Sequence, residues 1–115
     1  LGAAYFNSVY ETLQLTSYTN KLTKEEQAEG FTKTRVMRMH LAVDGKEYNY
    51  TYDFYRIDDR RIMVCFYRSD DNGNKIEHLG EVSDFYISTF AFKQLVNHYI
   101  YLLNGKEVDE SINYG

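Results

Sequence analysis

Between Arg61 and Arg68 the chain reads Ile62-Met63-Val64-Cys65-Phe66-Tyr67, an unbroken apolar and aromatic run. Successive side chains of a strand point to opposite faces. Ile62, Val64 and Phe66 therefore go to one side and Met63, Cys65 and Tyr67 to the other. A strand that is apolar on both sides belongs inside a sheet that is covered on both sides. This run asks for a neighbour at each edge and for cover above and below. The rest of the chain has to supply that cover, or an oligomer has to seal the second face.

Turn chemistry marks the neighbours. Asp44-Gly45 separates two alternating segments, 32–43 and 46–57, and Asp-Gly suits the φ > 0 positions of a two-residue hairpin loop. Such a loop sets Val43 opposite Lys46, Leu41 opposite Tyr48, Met39 opposite Tyr50, Met37 opposite Tyr52 and Arg35 opposite Phe54. The other face carries Val36, Arg38 and His40 against Asp53, Thr51 and Asn49. A one-residue slip would exchange the two faces. Ile57-Asp58-Asp59-Arg60 makes the second reversal, into a strand over 61–69. Asn72-Gly73 makes the third, into a strand over 75–82. With two residues in that loop, Phe66 faces Leu79, Tyr67 faces His78, Met63 faces Val82 and Arg61 faces Asp84. Gly80, with nothing to pack, marks a bulge.

Helices flank the meander. Phe6, Val9, Tyr10 and Leu13 fall at i, i+3, i+4, i+7, which predicts a helix over Ala3 to Leu15, ended by Thr16 and Ser17. Residues 18–22 read as an edge strand or a loop. Thr23-Lys24-Glu25-Glu26 is a capping box. It opens a short polar helix that Gly30 closes at the C′ position. Phe85-Tyr86-Ile87 has two readings. It extends the last strand, with Ser88 or Thr89 as the next cap, or it begins a helix capped by Asp84. Phe92, Leu95, Val96, Tyr99, Ile100 and Leu103 then form one helical stripe, stopped at Asn104-Gly105.

The expected fold is α+β: a helix, a four-stranded antiparallel meander, and a C-terminal helix packed on the sheet. The core is the Met37/Met39/Tyr50/Tyr52 face against that helix. The first helix shares this face or covers the other. Residues 1–115 form one domain, with 106–115 a loosely held tail. The start at Leu1 rather than Met points to a piece of a longer or processed protein.

Composition narrows the function classes. A chain of 115 residues buries roughly two-thirds of its unfolded surface, enough for a core without staples. The net charge of −4 argues against a nucleic-acid partner. No apolar run is long enough for a transmembrane helix, and no signal peptide is visible. Cys65 is the single cysteine, so it has no internal disulfide partner. Mid-strand, it reads as a small buried hydrophobe, since a reactive thiol needs an open electropositive setting. His40, His78 and His98 lack a second ligand at metal spacing, so no metal site is expected. With no phosphate loop, zinc spacing or Ser-His-Asp order, no cofactor is expected either. The Asn49-Tyr50-Thr51 sequon lies within a strand and carries no weight.

Three groups of residues remain as site candidates. Every arginine lies between Arg35 and Arg68, and Arg35, Arg56, Arg60 and Arg61 should gather at the sheet end away from Asp44-Gly45. Guanidinium groups bind carboxylates and other anions through paired hydrogen bonds. The competing reading is a surface ion-pair lattice with Asp58, Asp59 and Asp84. Tyr48, Tyr50 and Tyr52 stand in one row, a platform for sugar rings or peptide if exposed, and core if covered. In that second case Tyr55 and Tyr67 on the outer face become the interface candidates. Tyr67 opposite His78 is the third group, because a phenol can orient an imidazole. A plain aromatic cross-strand pair is the alternative.

The function expected on these grounds is a non-catalytic, tyrosine-rich binding or structural module of a larger protein, acting outside the cytoplasm. Its partners would be other domains of the parent chain, a protein or a glycan, and it could act as an oligomer. The alternative is a pocket for a carboxylate or other anion between the sheet and the C-terminal helix, gated by the arginine end. A third reading is a small enzyme using His78 with Tyr67 and Arg61.

Overall fold

The computed structural model describes residues 3–42, 45–79 and 83–103. Among them the chain runs α1 (Ala3–Thr19), α2 (Lys24–Phe31), β1 (Arg35–Ala42), β2 (Asn49–Arg56), β3 (Arg61–Ser69), a 3₁₀ turn (Glu77–Leu79), β4 (Ser83–Ser88) and α3 (Thr89–Leu103). The strands form one antiparallel sheet in the order β1-β2-β3-β4, and α3 packs against it. The fold is α+β. β3 is an inner strand buried on both faces, as its composition requires.

The β1–β2 register differs from the expected one by two residues. Leu41 faces Tyr50, Met39 faces Tyr52 and Met37 faces Phe54, with Ala42↔Asn49 the pair nearest the loop. Residues 43–48 thus connect the strands in place of a two-residue turn; Val43 and Asp44 lie outside the described residues. Alternation fixes which side chains share a face, and an even shift leaves the faces intact. Electrostatics separates the two registers. The observed one sets Arg38 against Asp53, where Arg38 Nε donates to Asp53 Oδ1 at 2.6 Å and Nη2 to Oδ2 at 3.0 Å. The expected one would have set Asp53 against Val36. At the far end the pairing steps from Arg35↔Tyr55 to Met37↔Phe54, a bulge that places Val36 outside the ladder.

The fourth strand is displaced further. β4 begins at Ser83, and β3 pairs with it through Val64↔Phe85, Met63↔Tyr86 and Arg61↔Ser88. None of the expected partners of β3 holds, including Tyr67 opposite His78. Residues 75–82 have their apolar side chains at Ile76, Leu79 and Val82, a spacing of three. That is wrong for a strand, and the segment instead closes a 3₁₀ turn at Glu77–Leu79. Phe85 and Ile87 have the strand spacing of two, and both are buried. Gly80 and Val82 lie outside the described residues, as do Asn104, Gly105 and the 106–115 tail.

The helices also correct two readings. α1 continues to Thr19 because Thr16 Oγ1 donates to Thr12 O and Ser17 Oγ to Gln14 O, so both side chains satisfy themselves within the helix. The capping box of α2 is present in both directions, Glu26 N to Thr23 Oγ1 and Thr23 N to Glu26 Oε1, each 3.1 Å. Gly30, however, lies inside α2, and Thr32 is the C-cap. Gly30 is there for contact: a Cβ on it would stand 2.7 Å from both Sδ and Cε of Met63.

Both helical stripes cover the same sheet face. Val9 and Leu13 of α1 join Met39, Tyr52, Phe54 and Val64 in the main core, and Phe92 of α3 packs on Phe54 with ring centroids 5.2 Å apart. The other face is covered in two pieces. α2 lies over its Met63/Tyr55 end, where Phe31 meets Tyr55 edge-on. The connection after β3 folds back over the rest, with Gly73 O accepting from Tyr67 Oη. The chain thus covers both sides of β3 by itself.

Candidate functional site

The arginines expected to converge are divided by the sheet. Arg61 donates to Glu26 Oε2 at 2.6 Å and to Asp58 Oδ2 at 3.0 Å, and its guanidinium lies over the Tyr86 ring. Those two carboxylates hold its charge more firmly, Glu26 first and Asp58 second, and raise its pKa. Asp58 is held below the usual carboxylate range by the amide of Arg60 and the side chain of Arg61, a turn device rather than an acid. Arg35 lies 3.7 Å from Asp53 on the α2 side of the sheet. Arg60 is in the β2–β3 turn, where its carbonyl accepts from Thr89 N. Arg56 shares the opposite face with Ile62 and, among the described residues, pairs with exposed Asp59 at 3.2 Å. Asp84 is not at this end: it faces Cys65 in mid-sheet.

The tyrosine row is core at one end and half-covered at the other. Tyr52 has no exposed surface. Tyr50 is stacked under Tyr10 of α1, with centroids 4.9 Å apart and planes 3° from parallel. Burial and the neighbouring Tyr10 hydroxyl push its pKa up to about 12. Tyr48 precedes β2 and carries the Arg68 guanidinium 5.4 Å above its ring. The row is therefore not a continuous exposed platform: Tyr52 is core, and Tyr50 and Tyr48 are partly covered by Tyr10 and Arg68. The outer-face candidates are covered as well, Tyr55 by Phe31 and Tyr67 by the Gly73 loop.

Tyr67 belongs to a polar layer on the α2 side. Its hydroxyl donates to Asp53 Oδ2 at 2.8 Å, and Arg38 Nη2 lies 3.1 Å from the same oxygen of Tyr67. Burial first, and Asp53 second, raise the phenol's pKa. His78 is exposed on the 3₁₀ turn, so the Tyr67–His78 pair is not formed. Farther along, His40 Nδ1 meets Thr51 Oγ1 at 3.2 Å, and Thr51 meets Ser69 at 2.6 Å with both hydroxyls buried. Cys65 is buried, and that burial raises its thiol pKa, with Asp84 adding to it. The layer holds strands together, with Asp53, Thr51, Ser69 and Tyr67 buried and Arg38 and His40 at its exposed margin. Among the described residues no group of His, Cys, Asp or Glu is placed to hold a metal ion, and no helix is long and apolar enough to cross a membrane.

The open feature is a cleft of about 390 Å³ between α1, α3 and the end of β4. Two sets of hydrogen bonds hold its walls. Asn20, just past α1, pairs with β4: Tyr86 N donates to Asn20 O at 3.0 Å and Asn20 Nδ2 to Tyr86 O at 3.1 Å. α3 is fastened from the other side, with Ser88 Oγ capping Ala91 N and Thr89 Oγ1 donating to Asp59 O. The helices are therefore held to β4 independently, and the residues between them are small. Val9, Leu13, Ile87 and Leu95 make an apolar floor. Thr12, Thr16, Asn20, Ser88 and Ala91 make the rim, and His98 lies buried in the wall.

From the sequence, none of these rim residues is assigned a role in a site; Thr16 and Ser88 figure only as helix-end and cap residues. The signal was present: Thr12, Thr16 and Asn20 recur every fourth residue beside Val9 and Leu13, and Ala91, Leu95 and His98 repeat the pattern on α3. Small polar residues beside an apolar stripe mark a helix face that none of the described residues fills. Compared with known protein families, curated proteins and solved structures, the chain finds no match.

Proposed function

We propose that this chain is a non-catalytic binding module whose ligand occupies the α1/α3 cleft. One observation carries the reading: a cleft of about 390 Å³ with an apolar floor, a rim of hydroxyl and amide groups, and the His98 imidazole in its wall. Ligand sites are typically concave, mostly apolar and about 300–1,000 Å³, with a few polar groups that fix orientation. Among the described residues, no lysine, arginine, aspartate or glutamate lines the cleft. The chemistry favours a neutral molecule with an apolar body and one or two hydrogen-bonding groups. Asp53, Tyr67 and Arg38 are engaged with one another in a structural network, which favours binding over catalysis.

The test is a thermal-shift titration with indole and 1-hexanol, neutral probes with one polar atom each, on the natural sequence and on Ala91→Leu. Ala91 is exposed on the rim, and leucine is a good helix former, so the variant should fold while its side chain fills the cleft. A ligand that binds only the folded state raises Tm with concentration. The reading expects such a rise for the natural sequence and its loss in Ala91→Leu. Equal shifts in both proteins, or none in either, would count against it.

A further inference from the structure

The two edges of the sheet are finished differently. Along β4, Tyr86 N donates to Asn20 O at 3.0 Å and Lys21 bridges Phe85, so the turn after α1 pairs with that edge. β1 is the opposite edge strand, and among the described residues no strand or bridge pairs with its outer side. We propose that β1 is a docking edge for an extended, acidic segment of a partner protein, which joins the sheet as a fifth strand. This goes beyond the α1/α3 cleft and does not depend on it.

Every second residue of an edge strand turns its N–H and C=O away from the sheet, and that row is a template for another strand. The bulge at Val36 interrupts the row, so the new ladder runs along residues 37–42 and Arg35 flanks its end. Main-chain hydrogen bonds supply the affinity of such an added strand, and alternate side chains supply its specificity. On one face Met37, Met39 and Leu41 belong to the core cluster, with Met37 only half-buried. Apolar residues on the added strand extend that face.

The other face sets the charge. Arg35 and Arg38 both turn to Asp53: Arg38 lies 2.6 Å from Oδ1, and Arg35 is left 3.7 Å from the same oxygen. Two guanidinium groups thus share one carboxylate. Among the described residues Arg35 makes no hydrogen bond, and 43% of its side chain is exposed. An aspartate or glutamate on the added strand gives it an acceptor. A second copy of the chain is the poorer occupant. β1 carries no aspartate or glutamate, and two-fold pairing about Arg38 sets like charges face to face.

The experiment is an NMR titration of the backbone amides with the capped peptide Thr-Glu-Val-Glu-Val-Thr. A probe this short binds at roughly millimolar strength. Saturable shifts are expected along residues 37–42, with hydrogen exchange slowed at alternate amides of β1. The same peptide with lysine in place of glutamate should bind roughly tenfold more weakly. N-methylation separates strand addition from adhesion of charge: methylating both valine amides and both glutamate amides, in separate peptides, should abolish binding in one and spare the other, since only one edge of the peptide pairs. Arg35→Gln should weaken the acidic peptide about two- to five-fold, the weight of an exposed ion pair. Arg35 is exposed, so the variant should fold. Ala91→Leu, which fills the α1/α3 cleft, should leave peptide binding unchanged. Equal binding of the acidic and basic peptides would overturn the proposal, as would equal behaviour of the two N-methylated peptides, Arg35→Gln without effect, or shifts centred away from β1. A dimer that pairs through β1 would overturn it in favour of the second copy.

Discussion

Arg38 and Asp53 provide the sharpest test of the strand pairing. They face each other in β1 and β2, and a double-mutant cycle with Arg38→Met and Asp53→Ala measures their coupling. Asp53 is almost completely buried, and its carboxylate takes two hydrogen bonds from Arg38 and one from Tyr67. Removing one partner of a buried, hydrogen-bonded pair costs about 3–5 kcal/mol. About a third of the Arg38 side chain is exposed, so water takes up part of its released charge, and Asp53→Ala should cost about 2–3 kcal/mol. Arg38→Met keeps the apolar stem but strands the carboxylate, which keeps only Tyr67 and the more distant Arg35; about 2–3 kcal/mol is expected there too. The double variant has neither stranded charge and should lose less than the sum, leaving a coupling of about 1–2 kcal/mol. The assay is urea unfolding of all four proteins, with m-values checked for constancy. In the hairpin register set by a tight Asp44-Gly45 turn, Arg38 would face Thr51 instead. A coupling within about 0.3 kcal/mol of zero, the additivity of independent sites, would refute the observed pairing.

Three further outcomes follow from the packing. Tyr50→Ala should lose about 2–3 kcal/mol in urea unfolding, below the full 3–5 kcal/mol for a buried aromatic because Tyr50 is only half-buried beneath Tyr10; a change under about 0.5 kcal/mol would return the tyrosine row to the surface. Gly30→Ala gains up to about 1 kcal/mol of helix propensity but drives a methyl into Met63, at an overpacking cost of about 1–3 kcal/mol, so a net loss near 1 kcal/mol is expected, and a stabilised variant would show that α2 does not sit on β3. Asp84 has a carboxyl raised by burial, against the opposing pull of Cys65 and Lys75. A raised acid is penalised when ionised, so its cost to the fold is absent below the unfolded value near about 3.9 and complete above its folded pKa. Stability curves of Asp84→Asn and the natural protein should therefore diverge in the variant's favour as pH rises through that window, whereas parallel curves would place Asp84 in water.

The faces of the sheet were legible because alternation is a local, period-two signal. β3 could be read from six adjacent residues, and the capping box at Thr23 from four. The β1–β2 register was not legible in the same way. A two-residue shift preserves every face, so pattern alone is blind to it, and the attractive Asp44-Gly45 turn outweighed Arg38 and Asp53, whose attraction across strands was the better guide. The Asn72-Gly73 reversal is present, with Ser69 bridged antiparallel to Lys75 and Asp70 Oδ1 accepting from the amides of Asn72 and Asn74; what differs is that the pairing does not continue from it as a strand, so β4 begins only at Ser83. The spacing of Ile76, Leu79 and Val82 was the overlooked evidence against a strand there. The dispersal of the arginines follows from these registers, since the faces of Arg61 and Arg56 differ and the position of Asp84 moves with β4. Cys65 as buried filling and Tyr52 as core needed only burial, which hydrophobic pattern predicts well. The cleft needed the angle between two helices, which depends on ties at Asn20 and Thr89 that link residues far apart in sequence.

The most direct test of the α1/α3 cleft as the binding site is a residue-resolved NMR titration with indole. Saturable shifts are expected at Thr12, Thr16, Ile87, Ala91 and His98, with the tyrosines of β2 and the residues around Arg56 unmoved. Shifts centred on Tyr48 and Tyr50, or spread evenly over the surface without saturation, would contradict it.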